Sequence, residues 1–103
     1  MERTEYIEKL QAEIRATHGC DSRHVSTNRV RALWDFRLAW QGDVETFDLI
    51  DHSAAARCYA WTYEDGGQPR IAAVLELPPI NSPFTAVDAF IASQNDRGSN
   101  QTG

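Results

Sequence analysis

Cysteine occurs only twice in this chain, at Cys20 and Cys58. With no export signal in view, two cysteines point to a reducing, cytoplasmic setting and free thiols, a disulfide between them being the lesser alternative. No run approaches the ~20 apolar residues of a membrane-spanning helix. Met1-Glu2-Arg3-Thr4-Glu5 is too polar and acidic for a signal peptide. Positive charge is also short. Ten Lys and Arg against fifteen Asp and Glu leave a net charge of −5, which argues against nucleic acid as a partner. No glycine-rich phosphate loop is present, because Gly66-Gly67 reads as a turn with no helix behind it. Carboxylates are scattered, and Asp48 and Asp51 are no better an acid/base pair than any other two. No cofactor is expected.

What remains is ordinary globular material: 103 residues, 42% apolar and 24% charged, enough for one domain with its own core. Residues 2–17 read as a helix, with Ile7, Leu10, Ile14 and Thr17 on one stripe and Gly19 placed to end it. Cys20 to Asn28 is polar and leads into a strand near Val25–Leu33. Trp34, Phe36, Leu38 and Trp40 then alternate with Asp35, Arg37 and Gln41. After Gly42 the apolar parity shifts to Phe47 and Leu49. A turn at Gly42-Asp43 explains the shift, and so does a bulge at Gly42 with the turn moved back near Asp35. Asp51–Ala54 is a loop. Pro78-Pro79 ends the last strand, and Ser82-Pro83 opens a second helix with Phe84, Val87, Phe90 and Ile91 on its apolar face. Residues 95–103 lack apolar anchors and are expected to be a disordered tail after a single 1–94 domain.

The most informative stretch is Arg57–Leu77. A two-residue turn at Gly66-Gly67 pairs Tyr63 with Arg70, Trp61 with Ala72, Tyr59 with Val74 and Arg57 with Glu76. Every charge then falls on the face of Tyr59, Trp61 and Tyr63. The other face holds Cys58, Ala60, Thr62, Ile71, Ala73, Leu75 and Leu77. A five-residue loop would mix charge into both faces and is disfavoured. The predicted fold is α+β: a four-stranded antiparallel meander with an N-terminal and a C-terminal helix packed on one face, the small-residue face. The aromatic face is then open. Arg57, Tyr59, Trp61, Tyr63 and Arg70 become the candidate binding residues, for a planar ligand or a protein partner, most simply a homodimer in which Arg57 meets Glu76 of the other copy. The alternative is that the rings pack under another part of the chain.

His18, Cys20 and His24 crowd one loop. They could ligate a metal with His52 or Cys58 as fourth ligand, or form an activated thiol. The spacing matches no zinc pattern, and Cys20 follows a helix C-terminus, which disfavours a thiolate. The bland reading is a polar loop with no metal. Arg23, Arg29, Arg31 and Arg37 are either an anion contact or a solvated strand face balanced by Asp43, Glu45, Asp48 and Asp51.

The stretches HGCDSRHV (18–25), FDLIDHSAAARCYAW (47–61) and AVLELPPINSPFTAV (73–87) resemble a group of short, uncharacterised bacterial proteins. The resemblance covers most of residues 18–88 and implies a compact bacterial domain, with no activity, cofactor or catalytic residue attached. By element order alone the chain is similar to double-stranded RNA-binding domains. Residues 82–93 lack the basic residues those domains carry on their second helix, which argues against that activity. The leading functional expectation is a non-catalytic interaction or ligand-binding module, with a small enzyme centred on His18, Cys20 and His24 as the alternative.

Overall fold

The first helix, α1 (Arg3–His18), forms on the Ile7, Leu10 and Ile14 stripe, with Tyr6 added beside it. Gly19 ends it at φ 72°, donating its N–H to the Arg15 carbonyl at 2.9 Å. The strands are β1 (Asp21–Trp34), β2 (Arg37–Ile50), β3 (Arg57–Asp65) and β4 (Gln68–Leu75), and α2 (Pro83–Thr102) closes the chain. This computed structural model describes residues 3–102, with side chains described through Asn95. The four strands form one antiparallel sheet in the order β1-β2-β3-β4, the expected meander.

The β3–β4 register is the one that charge placement selects. Tyr63 pairs with Arg70, Trp61 with Ala72 and Tyr59 with Val74, around Gly66 and Gly67 at φ 60° and 81°. In β1–β2 the turn is Asp35-Phe36, both at positive φ (54° and 65°). The turn therefore lies near Asp35 and not at Gly42. Parity is reset at two bulges, Val25 in β1 and Ala39 in β2, while Gly42 pairs regularly with Val30. The second bulge is why Trp40 and Leu38, both apolar in the sequence pattern, face opposite ways.

The helices do not share a face. Leu10 and Ile14 of α1 pack on Phe47, Cys58 and Ala60, with Ile71, Ala73 and Leu75 around them. Ala86, Val87 and Ile91 of α2 pack on Tyr59 and Trp61, with Val30, Ala32, Val44 and Ala72. Adjacent residues of one strand point to opposite sides of the sheet, so Cys58/Ala60 and Tyr59/Trp61 define two separate cores with one helix on each. The expectation of both helices on the small-residue face is thus corrected. The physical reason is area: buried aromatic rings remove roughly 150–250 Å² each from water, and α2 covers the face that would otherwise expose them. Ser82 caps α2 by accepting from the Thr85 N–H at 3.1 Å, while Thr85 Oγ1 accepts from the Ser82 N–H at 3.0 Å. The segment expected as a disordered tail enters α2 as helical backbone to Thr102, and its side chains from 96 onward lie outside the described residues.

Candidate functional site

The five predicted binding residues lie where the register puts them, but not on an open surface. Tyr59 and Trp61 are 2% and 1% exposed beneath α2. Tyr63 is half-buried and packs edge-on against Phe90, with centroids 4.9 Å apart. Arg57 bonds Asp48 at 3.2 Å, and Arg70 lies 3.7 Å from Asp65. The Tyr59 hydroxyl donates to the Glu76 carboxylate of its own chain. Burial, with that bond second, pushes the phenol up to about 12. Glu76 and Arg57 therefore already have partners within the chain.

His18, Cys20 and His24 are not brought together. His18 Nε2 meets the Ala73 carbonyl at 2.9 Å, near the C-terminal end of α1. His24 Nε2 donates to Glu45 Oε1 at 2.8 Å, beside Arg3 at the other end. A helix of 16 residues separates those ends by about 22 Å. Cys20 is half-buried and Cys58 fully buried, both as free thiols. Desolvation, with Cys20 as a lesser cause, pushes the Cys58 thiol up to about 12. Among the described residues no group of three His, Cys, Asp or Glu side chains is placed to hold a metal ion.

Arg23 meets Asp48 at 3.4 Å and Arg29 meets Asp43 at 3.5 Å, both as exposed cross-strand pairs. Arg31 and Arg37 are exposed and make no ion pair among the described residues. Glu45 departs from the surface role assigned to it: it is 0% exposed. Its Oε1 accepts from Arg3 at 3.1 Å, from His24 and from the Thr27 hydroxyl, while Oε2 meets no partner among the described residues. The signal was parity, which places Glu45 on the face of Phe47 and Leu49.

Two features remain, and both arise from one parting of strands. β2 pairs with β3 only from Glu45↔Ala60 to Asp48↔Arg57, whereas β2 pairs with β1 as far as Arg37. The end of the β1–β2 hairpin therefore projects without a third strand. It carries exposed Leu33, Trp34, Phe36 and Leu38, with Phe36 97% exposed. Leu33 and Leu38 are directly opposite, as are Trp34 and Arg37. Where β2 and β3 part, a cleft of about 480 Å³ opens over α2. Trp40, Trp61, Tyr63 and Phe90 line it, with Glu64 and Gln94 as its main polar side chains. Trp61 meets Phe90 edge-on at 5.5 Å and Trp40 at 6.1 Å, so the rings form a packed apolar wall. Phe36 and Trp40 both belong to the alternating apolar pattern, which marks apolar positions without saying which of them runs past the end of the core. No family model, curated protein or solved structure matches the chain.

Proposed function

We propose that this chain is a non-catalytic protein-interaction module whose contact surface is the projecting end of the β1–β2 hairpin. The carrying observation is Phe36, 97% exposed at φ 65°. That backbone region favours glycine, asparagine or aspartate, and a bulky residue there is an outlier. An aromatic ring that lies in water gains no burial in the monomer to offset its backbone strain, which supports a use outside the monomer. Leu33 and Leu38 on one side of the hairpin end and Trp34 on the other leave it apolar on both sides, and exposed apolar surface gathered at one projecting end suits a contact site.

The test is Phe36→Asn, with unfolding followed in urea. Asparagine suits positive φ, so stability should be unchanged or raised by about 0.5 kcal/mol. A loss above about 1 kcal/mol would assign Phe36 to the fold and end this reading. A photoreactive residue at 36 should also cross-link to protein in cells producing the chain, while the same group at exposed Ala89 should not.

A further inference from the structure

We propose that the partner of the hairpin end is a second copy of this chain, which seats Phe36 in its Trp40/Trp61/Tyr63/Phe90 cleft while its own Phe36 enters the first copy's cleft. The inference rests on the interaction reading above and adds the partner's identity and its seat.

One molecule carries both halves of the contact. The hairpin end is an apolar projection, and the cleft, about 480 Å³, has an apolar aromatic wall. The two are close in the chain: Ala39 and Trp40 of β2 line the cleft, and Phe36 lies in the turn just before β2, four residues ahead of Trp40. At ~3.3 Å per residue they are at most about 13 Å apart. A two-fold axis beside the cleft then carries each hairpin end over the other copy's cleft in a single operation, the closed arrangement commonest among homo-oligomers.

Charge favours the same occupant. Arg31 and Arg37 flank the apolar end and have no ion-pair partner among the described residues. The cleft lining carries Glu64 and no basic side chain among those residues. A chain of net charge −5 repels its own copy in general, so a local match of arginine to glutamate is needed for approach, and the hairpin end brings that match with it. The open aromatic sheet face expected from the sequence is covered by α2 and cannot serve. This contact uses Trp61 and Tyr63 only where they reach the cleft.

The experiment is sedimentation equilibrium on the full chain across a concentration series, with four variants. Wild type should be dimeric. Phe36→Asn should weaken association at least about tenfold, the loss typical of one aromatic at an interface centre. Arg37→Glu and Glu64→Arg should each weaken it, and the double variant should recover much of the loss, because the swapped charges attract again. A wild type that stays monomeric overturns the second copy as partner and leaves the hairpin reading to its own cross-linking test. A dimer indifferent to Phe36→Asn overturns both. A dimer weakened by Phe36→Asn but with no charge-swap recovery overturns the cleft as the seat.

Discussion

Trp40 donates its indole N–H to the Thr62 carbonyl at 3.1 Å, across the gap where β2 has left β3. The ladder has no backbone partner to offer there, and a side chain supplies one. Gly42 is the reason the ring fits. A Cβ at that position would lie 2.7 Å from Trp40 Cζ2 and 2.9 Å from Cη2.

Gly42→Ala should therefore displace the Trp40 ring, break its bond to Thr62 and cost about 1–3 kcal/mol, the usual range for overpacking. In a Trp40→Ala background the same substitution meets no ring and should cost far less. A double-mutant cycle in urea reads this directly. Additive costs would show that Trp40 is not the obstacle.

Trp61→Ala should cost about 3–5 kcal/mol, as expected for emptying a site that is 1% exposed beneath α2. Tyr63→Ala should cost clearly less, since Tyr63 is half-buried at the cleft. Chemical denaturation of both variants settles the order. A mild Trp61→Ala would mean that α2 does not hold that face closed.

Alkaline pH should destabilise the fold in two stages. The Cys58 thiol is raised from 9.0 to about 12 and the Tyr59 phenol from 10.0 to about 12, both chiefly by burial. Each group binds its proton more tightly when folded, so its contribution is complete below the unfolded value and is lost as pH climbs toward 12. Stability should fall from about pH 9, more steeply above 10. Cys58→Ala should remove the first stage and Tyr59→Phe the second, in urea titrations at stepped pH. For the same reason a thiol reagent at neutral pH should label Cys20 and spare Cys58 until the protein unfolds.

The Glu45 carboxylate predicts an order of effects. His24 is 29% exposed and bonds Glu45 at 2.8 Å, while Arg3 is 56% exposed at 3.1 Å. Solvent screens the arginine pair more strongly. His24→Ala should therefore destabilise more than Arg3→Ala, and Glu45→Gln should cost about 1.5–3 kcal/mol, the range for hydrogen bonds to a charged group. Thermal unfolding of the three variants checks it, and the reverse order would make Arg3 the main support of the carboxylate.

The parts of the structure that were legible in the sequence are those set by short-range rules. The Gly66-Gly67 register, the Gly19 stop and the Ser82 cap each depend on a few neighbours, and each is found. The side taken by α2 was not legible, because a row of rings reads alike whether it faces water or a helix. The Asp35-Phe36 turn was obscured for a different reason. Turn chemistry favours glycine or asparagine at positive φ, and phenylalanine breaks that rule at the place proposed here as the contact. The burial of Glu45 is hidden by its acidic stretch, in which Asp43, Asp48 and Asp51 also fall, although its parity with Phe47 points it inward.

Cys58–Trp61 of the β3–β4 hairpin are buried on both sides of the sheet, but with side chains of very different volume. Cys58, Ala60 and Ala73 face α1, and Tyr59 and Trp61 face α2. A slip of one residue in the hairpin would thrust Trp61 toward Leu10 and leave Ala60 facing Val87, overfilling one core and hollowing the other at once. The two helices therefore cannot trade places. Side-chain bulk along a single nine-residue strand thus matches each flank to the helix that occupies it.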